Sequence, residues 1–568
     1  MTNYQFTGGT ICAPATIPGT GAISIIRVSG KESLAIADKV IDTKGVPIAE
    51  TEGYRLRYGT VFEADGSVLD NVIVSVFRAP HSYTGENSVE ISCHASRFIV
   101  NKILELLVNA GARIAAPGEF TRRAFVNGKM DLAQAEAVAD VIASQSAASH
   151  RVAMNQLKGG FSSELKVLRE KLLTMTSLLE LELDFSEEDV EFASRKELGQ
   201  LVDDSLTHIR RLTASFSRGN AIKNGVPVAI VGATNTGKST LLNALLGEER
   251  AIVSDIAGTT RDTIEETLNI DGILFRFIDT AGIRETDETI EKIGIDRTFK
   301  KLGEAAVVLG MTDLSRGEAA VLEDADFILS KVNEMGGVKN VGLAIDGAET
   351  GGTSRSETGG TPLAETSGAS LAGTGRTSPA ETDGASLVET GGDSQHGHGD
   401  GQERKVVILV NKCDVAGDFY RDDNGTGYGS GNDLGKNLAE ISGNKNVNRD
   451  NNIVSLIENK YDNCKVIPIS AKTGKGLSTL TKTLGEIGSE ITGSTDETLV
   501  TNVRHYEALV RAASALERVR AGLHIATLPP DLIAQDLREA LYHLGEIVGE
   551  ISTDETLGNI FRNFCIGK

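Results

Sequence analysis

Positive charge is in short supply: 57 Lys and Arg face 79 Asp and Glu across 568 residues, a formal net charge of -22. That balance opposes independent, high-affinity wrapping of a phosphate backbone, which needs a basic patch. Any nucleic acid is therefore expected to be held locally or through a partner. Long apolar runs are also missing, since no segment offers about 18 uninterrupted apolar residues, and Met1 to Thr16 lack a basic stretch followed by an apolar one. A cytoplasmic protein with no membrane partner is expected. Cysteine is sparse: Cys12, Cys93, Cys413, Cys464 and Cys565 lie far apart, in neither a disulfide-dense nor a CxxC pattern. Free thiols and no structural metal are expected of a reduced compartment.

What the chain does have is length and apolar content, 40% hydrophobic residues, enough for roughly two to four cored domains. Up to about Pro117, short apolar runs such as Ala22 to Ile26 and Val72 to Val76 alternate with Gly-rich turns and a helix-like stretch, Phe98 to Val108. This is the pattern of an α+β domain. From Leu132 the texture becomes Ala-rich helix, and Leu165, Leu168, Leu172, Met175 and Leu179 keep a 3-4-3-4 spacing that places them on one helical face. The spacing returns at Leu537, Leu541, Leu544, Val548 and Ile551. Each stripe needs apolar cover, so the economical expectation is one helical domain whose two halves flank an inserted domain, with a dimer seam as the rival.

The stretch Glu349 to Glu403 repeats Glu-Thr-x-Gly imperfectly (Glu357, Glu365, Glu381, Glu389) and carries 9 acidic and 2 basic residues. It has too little apolar surface to offset the entropy of ordering. Ala416 to Asn452 is similarly polar. Both read as disordered insertions, and His396 and His398 inside the first read as solvated rather than metal-binding.

Chemistry concentrates at the ends of apolar strands. Val226 to Val231 runs into Gly232-Ala233-Thr234-Asn235-Thr236-Gly237-Lys238-Ser239-Thr240 and then the helical Leu241 to Leu246. This is strand, phosphate loop and helix in the required order. Glycines let the loop turn its N–H groups toward phosphate oxygens, Lys238 neutralises the β/γ-phosphates, and the Ser239 hydroxyl can ligate Mg²⁺. Gly258-Thr259-Thr260-Arg261-Asp262 supplies a switch threonine, Thr260, able to reach the same ion. The strand Ile273 to Ile278 ends in Asp279-Thr280-Ala281-Gly282, where Asp279 can hold Mg²⁺ through water and Gly282 can bond the γ-phosphate. Val406 to Val410 delivers Asn411-Lys412-Cys413-Asp414, whose Asp414 carboxylate can accept from guanine N1 and N2, groups adenine cannot offer. Ser470-Ala471-Lys472, after Val466 to Ile469, completes a base pocket. Five such elements in order select GTP rather than ATP.

Ile283 follows Gly282 where Ras-like GTPases carry a water-orienting glutamine. Hydrolysis must then recruit another polar group and another positive charge. Glu285, Asp287, Glu288 and Glu291 are candidates, although a carboxylate in such a run is ordinarily a solvated surface residue.

Three further stretches stand out: Pro117-Gly118-Glu119-Phe120-Thr121-Arg122-Arg123-Ala124-Phe125-Val126-Asn127-Gly128-Lys129-Met130-Asp131-Leu132, then Ala133-Gln134-Ala135-Glu136-Ala137, and the terminal Phe564-Cys565-Ile566-Gly567-Lys568. With the phosphate loop and the Gly258 to Asp262 segment, they strongly resemble the MnmE (TrmE) family of tRNA-modification GTPases, over the whole chain apart from the two polar insertions. The resemblance implies a multidomain fold: an N-terminal α+β folate-binding domain (1–120), a discontinuous α-helical domain (121–220 and 496–568), and an inserted α/β P-loop, Ras-like G domain (221–495). The polar insertions would fall at about 335–403 and 416–452 of the last.

It further implies a homodimer that works with the FAD-containing flavoprotein MnmG, in a heterotetramer or larger assembly. Together they would place an aminomethyl-type (carboxymethylaminomethyl) group on C5 of the wobble uridine of tRNAs, with tRNA held mainly through the complex. By similarity, Ser254, Asp255, Ile256, Ala257, Gly258, Thr259 and Thr260 belong to the GTP site. Asn235, Ser254, Ile256 and Thr259 would coordinate K⁺, and Glu291 would orient the attacking water. Arg27, Glu90, Lys129 and Lys568 would contact 5-formyl-tetrahydrofolate or a related tetrahydrofolate, and Cys565 matches the family's functional C-terminal cysteine. The chain departs from the usual pattern at Thr234 (proline in many members), at Ser254 (threonine) and at Cys93-His94-Ala95-Ser96 (His-Gly-Gly). A regulatory GTPase switch or scaffold in RNA or ribosome assembly, and a folate enzyme with a regulatory G domain, are the competing readings of these motifs.

Overall fold

The computed structural model describes residues 8–184, 195–249, 266–278, 305–334, 404–414, 453–461, 464–493, 497–525, 529–551, 554–562, 564 and 567. The two polar insertions, with His396 and His398, lie outside the described residues.

The N-terminal region forms a seven-stranded mixed sheet. Its strands are β1 (Ile11–Pro14), β2 (Ile23–Ser29), β3 (Ile41–Asp42), β4 (Arg55–Phe62), β5 (Val68–Phe77), β6 (Ser88–His94) and β7 (Arg113–Ile114), in the order β3-β4-β5-β6-β2-β1-β7. All neighbours are antiparallel except β1 and β7. The two-residue period of β5 sends Val72, Val74 and Val76 into a core shared with Ile91 of β6. Helices α1 (Ser33–Val40) and α2 (Arg97–Asn109) cover that side through Ile36, Ile103 and Leu107. On the opposite face Ile23, Leu56, Tyr58 and Ile73 are exposed.

The helical domain collects α3 (Glu119–Val126), α4 (Leu132–Ala143), α5 (Ala147–Leu157), α6 (Gly160–Asp184), α7 (Arg195–Ala214) and α8 (Phe216–Asn224). It resumes after the G domain, and its residues from both halves share one core. Leu165, Leu168, Leu172 and Leu179 are buried with Leu206 and Ile209 from the first half, and with Leu509, Leu516, Leu537, Leu541 and Leu544 from the second. One correction concerns the second stripe. The helix Pro530–Val548 starts on a proline and stops at Gly549, whose φ of 82° is left-handed, so Ile551 lies beyond it although the spacing continues in the sequence.

The G domain is a six-stranded sheet covered on both faces. Its elements are β8 (Val226–Gly232), α9 (Lys238–Glu249), β9 (Glu266–Ile270), β10 (Ile273–Ile278), β11 (Val307–Asp313), α10 (Glu318–Glu334), β12 (Lys405–Asn411), α11 (Ile453–Lys460), β13 (Lys465–Pro468) and α12 (Leu477–Thr492). The strand order is β13-β12-β11-β8-β10-β9, parallel throughout except for the edge strand β9. Every residue of β11 and β12 is buried, which explains why they read as unbroken apolar runs rather than alternating ones. Strand order reverses between β8 and β11, and a crevice at the carboxyl ends of such strands is where open α/β sheets hold ligands. The chain then enters α13 (Val503–Leu523), α14 (Pro530–Val548) and α15 (Asp554–Arg562).

Candidate nucleotide and tail sites

At the carboxyl end of β8 the loop bends through Gly232 (φ 154°), Asn235 (φ 62°) and Gly237 (φ 99°) before α9 begins at Lys238. Glycine is required at two of these positions for space as well as for φ. A Cβ on Gly232 would strike the Met311 carbonyl, and one on Gly237 would strike the Asn411 amide. The loop is closed by Thr236, whose hydroxyl donates to the Ala233 carbonyl at 2.9 Å. The Lys238 ammonium lies across it, donating to the carbonyls of Gly232 (2.9 Å) and Ala233 (2.7 Å), and burial pulls its pKa down. An anion placed in the loop would give this cation a charged partner in place of neutral carbonyls. Ser239 is half-buried and Thr240 exposed on the first turn of α9.

Asn411, only 3% exposed, fastens three loops together. Its amide donates to the Thr236 carbonyl at 2.6 Å, and its oxygen accepts from the Ala471 N–H at 3.0 Å. The Ser470 N–H donates to the Lys475 carbonyl at 2.9 Å, and the Cys413 N–H to the Ile469 carbonyl at 3.2 Å. Asp414 and Lys472 stand exposed beside them. The structure thus gathers Asn235, Thr236, Gly237 and Lys238 with Asn411, Lys412, Asp414, Ser470 and Ala471 at the carboxyl ends of β8, β12 and β13. Ser254, Asp255, Ile256, Ala257, Gly258, Thr259, Thr260, Asp279, Thr280, Ala281, Gly282 and Glu291 lie outside the described residues.

A second cluster sits on the N-terminal sheet. Arg27 of β2 pairs with Glu90 of β6 at 2.9 Å, and the two residues are direct register partners. The Arg27 guanidinium also donates to the Gly567 carbonyl at 3.3 Å and lies 5.1 Å and 5.7 Å from the ring centres of Tyr83 and Phe120. Burial pushes the Tyr83 hydroxyl up, with its hydrogen bond to Thr121 and the Arg27 charge opposing. The tail reaches this place because Leu557, Phe561 and Phe564 pack on Leu132 and Ala135, and because Gly118 and Gly567, both left-handed, allow close backbone approach to Phe561 and Pro14 respectively. Lys129 instead donates to the Pro80 carbonyl at 3.1 Å. Cys565 and Lys568 are outside the described residues. The four other cysteines are buried and unbridged, and burial raises each thiol to about 11, which makes them poor nucleophiles.

Two pairings lie outside what the nucleotide and folate motifs indicate. Asp313 pairs with Lys412 at 2.6 Å beside the base-recognition loop, and its signal was a strand ending in Asp with Ser two residues on. Glu136 of α4 binds Arg504 and His505 of α13 inside the helical domain. Nothing local marks that pairing. Among the described residues no helix is long and apolar enough to cross a membrane.

The chain is similar to known proteins along its length. The family model described as the MnmE helical domain matches residues 132–565, and that described as the GTP-binding protein TrmE N-terminus matches residues 10–129. A tRNA modification GTPase MnmE from Parabacteroides distasonis is 43% identical over 98% of this chain and 100% of its own length. Those of Flavobacterium johnsoniae (42%, over 98% and 99%) and Porphyromonas gingivalis (41%, over 100% and 99%) are similar to it along their whole length. Among solved structures, a GTP-binding protein from Sulfolobus solfataricus in complex with GDP aligns with 58% of this chain and 67% of its own, at 14% identity and a TM-score of 0.24.

Proposed function

Since the chain belongs to the MnmE family of tRNA modification GTPases, we propose that it is a potassium-stimulated GTPase that, with a flavoprotein partner of the MnmG type, installs a carboxymethylaminomethyl-type group at C5 of the wobble uridine. The observation that carries this reading is the seating of the C-terminal tail on Arg27, itself paired with Glu90, in a chain that also bears a guanine-nucleotide crevice. A plain nucleotide switch has no use for such a tail.

In the crevice, Lys238 exchanges its two loop carbonyls for β/γ-phosphate oxygens, the loop N–H groups cradle the phosphates, and Asp414 reads the base. Ser239, at the second position of α9, suits Mg²⁺, with Thr260 and Asp279 as its further partners. Asn235 has the left-handed backbone that turns the loop, and with Ser254, Ile256 and Thr259 it would hold K⁺. That ion supplies positive charge at the transferring phosphoryl group, and Glu291 orients the water. Arg27 and Glu90 are partly buried, at 19% and 25% side-chain exposure, and flanked by two rings. This fits a flat heterocycle with an acidic tail, the chemistry of a tetrahydrofolate, and Lys568 and Cys565 would close the site from the chain's end. Ile23, Leu56, Tyr58 and Ile73 share the exposed sheet face, and their register continues through Ser75 to Glu90 and Arg27. A homodimer formed on that face covers apolar surface beside the folate cluster.

Wobble-uridine nucleosides from a deletion strain, complemented by wild type or Cys565→Ser, test the modification. Turnover in K⁺ against Na⁺ tests the ion. Unaltered nucleosides in the deletion strain overturn the modification reading, and equal turnover in both salts overturns the ion reading.

A further inference from the structure

Beside the base-recognition loop lies a carboxylate that the nucleotide motifs do not account for. Asp313 is the last residue of β11, in register with Asn411, the last residue of β12. It is 5% exposed and uses both oxygens. One accepts from the Ser315 N–H at 3.0 Å and the Ser315 hydroxyl at 2.6 Å, and the other accepts from the Lys412 ammonium at 2.6 Å. Burial works against its charge, but Lys412 and Ser315 outweigh burial and hold its pKa below the usual carboxylate range.

We propose that Asp313 is a positioning residue of the guanine site, holding the Lys412 side chain in one conformation so that its methylene stem forms a preset wall of the base pocket. The inference rests on reading this loop as the guanine site. Lys412 sits between Asn411 and Asp414 with a left-handed backbone (φ 64°), so its Cα is fixed by the loop, while its long side chain would otherwise sample many rotamers. Pinning the ammonium on Asp313 fixes the other end. Ser315, by holding the second oxygen, stops the carboxylate from following the lysine out to solvent. Ordering one such side chain on binding weakens affinity about three- to tenfold, so an already ordered one retains that factor.

The test is stopped-flow binding of a fluorescent GDP analogue, with steady-state GTP hydrolysis, on the full-length wild type, Asp313→Asn, Lys412→Met and the double variant. Asp313→Asn should raise the GDP dissociation rate and the KM for GTP about three- to tenfold, with a far smaller change in kcat. The double variant should be no worse than Lys412→Met alone, because Asp313 acts through that lysine. Asp313→Glu should restore part of the loss. Ser315→Ala, a milder change, should shift the GDP off-rate in the same direction and keeps the test open if Asp313→Asn folds poorly. An undiminished effect of Asp313→Asn in the Lys412→Met background, or unchanged GDP dissociation in both Asp313→Asn and Ser315→Ala, overturns the proposal. A wild type that binds GDP no better than ADP would overturn the site reading itself, before any variant is compared.

Discussion

Glu136→Gln should loosen the joint between the two halves of the helical domain while leaving the shape of the side chain intact. In the native protein the Glu136 carboxylate accepts from Arg504 at 2.9 and 3.1 Å and lies 2.6 Å from the His505 imidazole. Arg504 also donates to the carbonyls of Glu546 (2.7 Å) and Ile547 (3.0 Å), so three helices meet on one guanidinium. Burial pushes Glu136 toward neutrality, but the charges and hydrogen bonds of His505 and Arg504 prevail and hold it at about 2 against an ordinary 4.5. That displacement corresponds to about 3 kcal/mol of stability at neutral pH, from ~1.4 kcal/mol per tenfold change in proton affinity. Removing one partner of a buried ion pair costs about 3 to 5 kcal/mol by a separate route. Amide exchange in α4 and α13 should therefore accelerate about a hundredfold at pH 7. Because the folded pKa lies below the unfolded one, the unfolded chain takes the proton first as pH falls. The wild-type advantage is complete above about pH 4.5 and is lost on the way to pH 2. A gap under about 1 kcal/mol at pH 7 would refute the reasoning, since it would equal an ordinary exposed pair. So would a gap that does not shrink in acid.

Gly237→Ala should weaken GTP binding at least about tenfold, because the new methyl meets the Asn411 amide and the backbone is left-handed there (φ 99°). Unchanged affinity by titration would contradict the described loop. Asp414→Asn should move preference from GTP to xanthosine triphosphate, since the amide can donate to the added base carbonyl. Competition between the two nucleotides reads this directly. Deleting residues 349–403 should leave the melting temperature and GTP hydrolysis nearly unchanged, as long surface insertions add little closure entropy. A collapse in thermal stability would show that the segment packs.

Sequence alone disclosed those parts of the molecule whose physics is local. Val72, Val74 and Val76 alternate because one sheet face is buried, and Leu165, Leu168 and Leu172 are spaced for a helix because one stripe is. The phosphate loop was legible because a left-handed turn between strand and helix demands glycine at fixed places. What escaped was long-range. Asp313 and Lys412 are 99 residues apart, Glu136 and Arg504 are 368 apart, and Arg27 and Gly567 are 540 apart. No periodicity encodes such pairs. Ile551 departs from its expected place for the opposite reason: the apolar spacing runs on past Gly549, but the helical backbone does not.

Insertion of the G domain also has a physical logic that lies in the folded chain rather than in any local motif. The chain leaves the helical domain through α8 and returns through Glu497 to Thr501, and these two crossings touch. The Val500 N–H donates to the Ser215 hydroxyl at 3.1 Å, Arg218 pairs with Glu497 at 2.8 Å, and Gly219 has no side chain where the Val500 carbonyl passes. Adjacent crossings let a whole domain be added without opening the helical core. A second attachment lies at the β9–β10 hairpin, where Asn269 donates to the Gln145 carbonyl at 3.0 Å and the Ala148 N–H approaches the Gly272 carbonyl at 3.4 Å. A cavity of about 240 Å³, lined by residues including Asp140, Lys223, Thr267 and Leu274, separates the two attachments. That hairpin joins the segment bearing Thr260 to the strand that delivers Asp279. Its tip rests on the first turn of α5, directly after the loop that follows α4, and α4 carries both Glu136 and the Leu132 surface on which the C-terminal tail packs. The hairpin, α5, α4 and the tail residues Leu557, Phe561 and Phe564 therefore form one contiguous run of contacts, made by one main-chain hydrogen bond, one side-chain hydrogen bond and the apolar packing on Leu132 and Ala135.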